Sequence, residues 1–147
     1  MALKALVTHR LVKSEDLNHH KTLFAGRCAE WFVESCFVAV ASVLPPENTV
    51  CLKIHGLEFL HPIHSGDILT FESKIIANGK STLTAYCKVF KDNTPEITFC
   101  EGFATFVHVD TYTRPKLHHI VIVPETNEEI RLNEEAKALS LLSKKKK

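Results

Sequence analysis

Two glutamates and an arginine lie on one narrow polar stripe of a segment that is otherwise almost wholly apolar. At about 100° per residue, the helix predicted from about Phe24 to Val43 places Arg27, Glu30 and Glu34 on a single face. A glutamate that faces a cleft can act as a general base and activate water. The same stripe can instead be a solvated surface or an ion pair with Arg27. The sequence leaves both interpretations open.

The polar stretch before this helix carries further groups that can do chemistry. Residues 13–20 are mostly polar and include the adjacent His19 and His20. An imidazole in such a loop can act as a base, although neighbouring histidines in polar loops are more often simple surface residues. Thr22 is predicted to cap the first helical turn, because a hydroxyl there can accept a hydrogen bond from a free backbone N–H. The loop and the helix start together form the first candidate site.

The helix must be buried on most sides, because apolar residues cover nearly all of it outside the polar stripe. The chain has no run of about 18 apolar residues that is free of charge, so protein and not lipid has to bury it. Pro45 and Pro46 are predicted to end the helix, since neither can donate a backbone hydrogen bond. The rest of the chain is therefore expected to pack around it.

The elements around the helix are predicted to be mainly strands, because the apolar period changes from about 3.6 to about 2. One strand is predicted before the helix, at residues 3–12, and four follow it, at residues 50–60, 67–77, 81–91 and 96–109. Asn78-Gly79 is a strong hairpin signal, and the four later strands are expected to form an antiparallel meander. Residues 116–123 are a candidate edge strand, and residues 126–142 are predicted to form a terminal surface helix. This order predicts an α+β fold in which an antiparallel sheet curls around the long helix.

Length and composition favour an ordinary globular protein. The 147 residues predict a single domain, 1–147, in which roughly residues 124–147 are a C-terminal helix and a basic tail. A net charge of +1 gives the protein no strong positive potential that would attract nucleic acid or a membrane surface. Neither partner is therefore expected. Lys144 to Lys147 are interpreted as a solvated end without an assigned function.

The five cysteines indicate a reducing compartment. They are Cys28, Cys36, Cys51, Cys87 and Cys100, they lie inside apolar runs, and none has C-x-x-C spacing. They are predicted to be buried, reduced thiols. The first residues also lack the pattern of a signal peptide, so we expect a cytoplasmic protein. No histidine spacing marks a metal site, and no G-x-S-x-G motif is present. No metal and no cofactor are expected.

Several short motifs, taken in order, resemble those of the hotdog-fold acyl-CoA thioesterases. The sequence NHHKTLFAGRCAEWFVES is similar to the family motif N-H-x-G-T-L-F-G-G-x-x-x-x-W-x-D-E, and GLEFLHPIHSGDIL is similar to F-x-x-P-v-x-x-G-D. NGKST resembles the family's G-[RK]-[ST] hairpin, and ATFVHVD resembles its last strand. The resemblance spans roughly residues 5 to 115 in one register. It implies the hotdog fold, in which a long central helix is wrapped by an antiparallel sheet.

The resemblance also implies a function. It indicates hydrolysis of fatty acyl-CoA to free acid and CoA by a homodimer or a higher homo-oligomer, with each site between two chains. The backbone N–H groups of Ala25 and Gly26 would hold the oxyanion, since a helix N-terminus offers unpaired donors and partial positive charge. Asn18 would position the carbonyl or the water, although an asparagine here is also a typical loop residue.

The family pattern further assigns four residues to substrate binding. His20 and Phe24 would contact the acyl-CoA near the helix start. Lys80 and Ser81 would lie near the CoA phosphates and act by charge pairing and hydrogen bonding. A lysine after Asn-Gly is otherwise a common solvated hairpin tip.

The chain departs from the family at the residue that matters most for catalysis. The family's acid falls at Val33, and an aliphatic side chain is neither a base nor a nucleophile. Lys21 and Ala25 also replace family glycines. Glu30 or Glu34 is the expected substitute base. The alternative hypothesis is a catalytically inactive hotdog protein that binds acyl-CoA or serves as an assembly module.

Overall fold

The computed structural model describes residues 4–145, so Leu3 of the first predicted strand and the last two lysines lie outside it. Five strands and two helices make up the fold. They are β1 (Leu6–Leu11), α1 (Ala25–Ala41), β2 (Thr49–Phe59), β3 (Ile68–Asn78), β4 (Thr82–Lys91), β5 (Cys100–His108) and α2 (Asn127–Lys145). Within the described range, no helix is both long enough and apolar enough to cross a membrane.

The strands form one antiparallel sheet in the order β1-β3-β4-β5-β2. The prediction of a four-stranded meander is correct for β3, β4 and β5 but wrong for β2, which pairs with β5 at the far edge. Strand periodicity identifies a strand and its two faces but does not choose its neighbour. As a result, residues 60–67 cross the end of the sheet from β2 to β3. This crossing segment reaches the start of α1, where the Leu23 N–H donates to the Ile63 carbonyl at 2.8 Å.

Helix α1 confirms the predicted central helix but not its burial on most sides, since the sheet covers one face and Glu30, Glu34 and Val38 are exposed. Its buried side packs on one face of the sheet through Cys28, Phe32, Cys36, Ala39 and Val40. The cap predicted at Thr22 is wrong, because the N-cap residue is Phe24 and it makes no side-chain cap hydrogen bond. Leu23 and Phe24 are still extended, so the first helical turn starts later than the Thr22 hydroxyl could reach.

Helix α2 confirms the predicted C-terminal helix and covers the other face of the sheet. Leu132 and Ala136 pack against Tyr86 and Phe103, which alternate along their strands with residues that face α1. Asn133 Nδ2 donates to the Ile76 carbonyl at 2.7 Å. The sheet is therefore sandwiched between α1 and the first part of α2.

Two further sequence predictions need correction. Residues 116–123 are not an edge strand, since they make only scattered bonds to the end of the sheet, for example from the His118 N–H to the Lys80 carbonyl at 3.3 Å. All five cysteines are free thiols, but Cys51 is exposed while the other four are buried. Cys51 lies on β2, whose outer edge is not covered by any strand within residues 4–145.

Candidate active site

The loop before α1 folds into a tight turn at Asn18. The Asn18 N–H donates to the Thr22 carbonyl at 2.8 Å, and the Lys21 N–H donates to the Asn18 carbonyl at 3.0 Å. Lys21 closes this turn with a φ of +65°, a left-handed conformation that favours glycine. This geometry explains why the family pattern prefers glycine at the position of Lys21.

The Asn18 side chain holds the turn together. Its Oδ1 accepts the backbone N–H of His20 at 2.8 Å and that of Thr22 at 3.2 Å. Its Nδ2 donates to Thr22 Oγ1 at 3.1 Å. The structure therefore places Asn18 in the loop-stabilising role that the sequence left as an alternative. One Nδ2 proton remains for a substrate carbonyl, so the catalytic role stays a prediction.

Asp16 ties the loop to the helix start. Its carbonyl accepts the Phe24 N–H at 2.9 Å, and its buried carboxylate accepts the Lys13 N–H at 2.9 Å. Arg27 Nε lies 3.6 Å from the same carboxylate. The alternative of a solvated or ion-paired stripe therefore holds for the glutamates, but Arg27 is not their partner. Asp16 lies in the preceding loop, where helical spacing cannot reveal it.

The first two amides of α1 are free. Within the part of the chain that the structure describes, no hydrogen bond uses the N–H of Ala25 or Gly26, whereas the next two amides both donate to the Phe24 carbonyl. Gly26 lies under the Phe24 ring, and a Cβ at Gly26 would stand 2.6 Å from Phe24 Cε2. Two adjacent, unpaired N–H groups at a helix N-terminus can bind a developing oxyanion.

A cavity of about 250 Å³ opens beside these amides. Ala25 and Cys28 of α1 line one wall, Thr22 and Leu23 another, and residues 59–63 with Phe99 the third. Most of these side chains are apolar, so the cavity can accept an acyl chain next to a polar helix end. Both segments that the family motifs marked in the sequence therefore meet at one place.

His61 is the site residue that sequence reasoning missed. It lies on the cavity wall, with its ring centroid 5.6 Å from that of Phe99 in an edge-on contact. Its side chain is exposed, and imidazole is a common general base in enzymes. The signal that could have identified it is its place directly before Pro62 in the second motif.

The two predicted glutamates lie on the solvent-facing side of α1 and not on the cavity wall. Glu34 is held by Arg10, whose Nη2 lies 2.6 Å from Glu34 Oε1. Glu30 makes no hydrogen bond or ion pair with any described residue. Val33, at the family's acid position, lies between these two residues in the sequence. Its side chain is half-buried. Of these two glutamates, Glu30 is therefore the one whose carboxylate has no partner among the described residues.

The remaining predicted binding residues divide into two groups. Phe24 and His20 lie at the helix start, and the His20 ring stands beside that of His19 with centroids 4.1 Å apart. Lys80 and Ser81 form the turn between β3 and β4, at the opposite end of the sheet. The 11-residue strand β3 separates the two ends by about 33 Å at roughly 3.3 Å per residue. One chain alone does not bring these groups together.

No group of three His, Cys, Asp or Glu side chains between residues 4 and 145 is arranged to hold a metal ion.

Comparison with known proteins agrees with this geometry. A family model described as the thioesterase superfamily matches residues 20–98, more than half of the chain. The protein YkhA of Bacillus subtilis (strain 168), described as an uncharacterized acyl-CoA thioester hydrolase, is 32% identical over 124 residues, which are 82% of this chain and 71% of that protein.

Solved structures show the same fold. A hexameric acyl-CoA thioesterase, solved without ligand, is 27% identical with a TM-score of 0.84 and covers 97% of this chain and 92% of its own. An acyl-CoA hydrolase from Bacillus cereus is 25% identical with a TM-score of 0.81 and covers 91% and 82%. With the sheet wrapped on α1 and the motifs meeting at its N-terminus, the chain belongs to the hotdog-fold acyl-CoA thioesterase family.

Proposed function

We propose that the chain is an acyl-CoA thioesterase that hydrolyses fatty acyl-CoA to free acid and CoA. The observation that carries this proposal is the pair of unpaired N–H groups at Ala25 and Gly26 beside an apolar cavity. The relatives that this chain resembles, described as acyl-CoA hydrolases and thioesterases, support the same reaction. The apolar lining, with Leu23, Ile63 and Phe99, supports a fatty acyl group.

In the proposed reaction, the thioester carbonyl oxygen points at the amides of Ala25 and Gly26. Water adds to the carbonyl carbon, and its proton passes to a carboxylate. The two amides stabilise the negative charge on the tetrahedral intermediate. The C–S bond then breaks, and the CoA thiolate takes up a proton. We assign Glu30 as the base, because the Glu34 carboxylate is already engaged by Arg10. Glu30 does not line the cavity of its own chain, so this assignment depends on the pairing of two chains described next.

A second copy of the chain completes the proposed site. Strand β2 is a sheet edge and exposes large apolar side chains, including Val50 and Ile54. Antiparallel pairing of two β2 strands would place the Lys80–Ser81 turn of one copy near the α1 N-terminus of the other. It would also cover the outer face of α1, where Val38 is exposed and Glu30 lies. The hexameric relative supports assembly of this chain with copies of itself.

Sedimentation tests this arrangement. We expect the wild type at micromolar concentration to sediment at twice 16.6 kDa or more. Ile54→Lys, which places a charge on β2 at a side chain that is 41% exposed in one chain, should shift the equilibrium to the monomer. Val7→Lys is the matched control on the other edge strand, at 49% exposure, and should leave the assembly intact. A monomeric wild type, or dissociation by the Val7 variant alone, would contradict the β2 interface.

The inactive binding module remains the second candidate, and Val33 is the observation that favours it. Release of free thiol from a panel of acyl-CoA chain lengths separates the two. We expect turnover of at least one chain length by the wild type. The exposed Cys51 will itself react with thiol reagents, so a protein-only blank is required. Binding of acyl-CoA without thiol release would establish the binding module.

We also infer a cytoplasmic location. It is supported by the five free cysteines, which fit a compartment where thiols stay reduced.

A further inference from the structure

The sheet face beneath α2 is apolar near the start of the helix and polar further along. Near the start of α2, Tyr86 and Phe103 fill the space against Leu132, with ring centroids 5.2 Å apart. Two residues further along the same strands, that face carries Thr84 and Thr105, which are directly opposite each other in β4 and β5. The packing there is incomplete, and a cavity of about 410 Å³ lies between the sheet and residues Ala136–Leu141 of α2.

The floor of this cavity is a short chain of buried polar groups. Thr84 Oγ1 lies 2.7 Å from Thr105 Oγ1, which lies 3.0 Å from His55 Nε2. Burial, and then the charge of Lys53, lower the pKa of His55, so its imidazole is neutral near pH 7. The two hydroxyls and the neutral imidazole hold three protons, but only two hydrogen bonds join them. In every arrangement, one donor is not used within this chain of three groups.

The walls and rim add two further chemical features. Ala77, Leu52 and Leu141 give an apolar wall, whereas Lys53 and Lys137 place two positive charges at the cavity. Among the described residues that line it, none is an aspartate or a glutamate. A spare hydrogen-bond donor, an apolar wall and two cations together match a small amphipathic anion.

We propose that this cavity, here called the α2 cavity, is a second binding site that takes a small carboxylate with an apolar chain. The carboxylate accepts the spare proton of the Thr84–Thr105–His55 chain and lies near Lys53 and Lys137, and the apolar chain packs on Leu52 and Leu141. The cavity lies on the opposite face of the sheet from α1, so it is separate from the Ala25–Gly26 site. This binding does not depend on the proposed hydrolysis.

Calorimetric titration of the 147-residue chain with octanoate and with 1-octanol tests the proposal. We expect octanoate to bind at least tenfold more tightly, because only octanoate carries the charge. Lys137→Gln should weaken octanoate severalfold and leave 1-octanol unchanged, and this exposed residue can change without affecting folding. Thr105→Val removes the centre of the polar chain and should weaken both ligands. Thr111→Val and Lys116→Gln are the matched controls at exposed positions outside the cavity.

Three results would overturn the α2 cavity as a carboxylate site. The first is equal affinity for octanoate and 1-octanol. The second is octanoate binding that is unchanged in both the Lys137 and Thr105 variants. The third is displacement of octanoate by saturating CoA. The last result would assign the cavity to the substrate site itself. Absence of thiol release in the enzymatic assay would leave all of these binding measurements unaffected, so the two proposals can fail independently.

Discussion

Replacing Glu30 with glutamine should lower the rate of thioester hydrolysis by roughly 10² to 10⁴, the usual contribution of a general base. Glutamine keeps the size and hydrogen-bonding shape of the side chain but cannot accept the proton from water. Glu30 is exposed and makes no bond to a described residue, so its loss should not change the stability of the fold. The measurement is kcat for thiol release, with the melting temperature recorded for each variant.

Glu34→Gln is the matched control on the same stripe. Its carboxylate lies 2.6 Å from Arg10 Nη2 and is more than half exposed, so we expect a change in kcat of less than about tenfold and a stability loss within about 1 kcal/mol. If Glu34→Gln shows the large loss and Glu30→Gln does not, the two assignments are reversed. If both variants keep full activity, the base is an imidazole, and His61, His19 and His20 are the candidates.

Restoring the family's acid should recover what the Glu30 variant loses. In a Glu30→Gln background, Val33→Asp is expected to raise kcat by up to the same roughly 10² to 10⁴. Val33 is only half-buried, so an aspartate there can reach water or the partner copy without full desolvation. If its carboxylate were instead buried unpaired, the variant would be destabilised by several kcal/mol, at least about 2. Denaturant unfolding distinguishes the two outcomes.

Val33→Asn is the control for this gain, because asparagine is polar and similar in size to aspartate but is not a base. It should leave the low activity of the Glu30→Gln background unchanged. An equal gain with asparagine would show that polarity at this position, and not basicity, assists the reaction. A stable aspartate variant without any gain would mean that position 33 of this chain does not face the substrate.

The secondary structure could be predicted from the sequence because its signals are local. The apolar positions of α1 and the alternation in β3 and β4 depend only on neighbouring residues, and the two ends of α1 differ from the predicted ones by one and two residues. The family motifs likewise lie within short stretches, so the fold and the family followed from them. The same local signals failed at Thr22, because the exact start of a helix depends on how the loop before it is held.

The contacts between residues that are far apart in the sequence depend on the tertiary structure. Glu34 meets Arg10, which lies 24 residues away, and Arg27 meets Asp16 instead of its own helix neighbours. His61 reaches the α1 N-terminus only because β2 pairs with β5 and the following segment crosses the sheet end. The separation of Lys80 from Asn18, and the cavity beneath α2, also follow from strand order. The sequence by itself determined the elements and their chemistry, because those depend on local periodicity. Only long-range packing determined which of the candidate residues share a site.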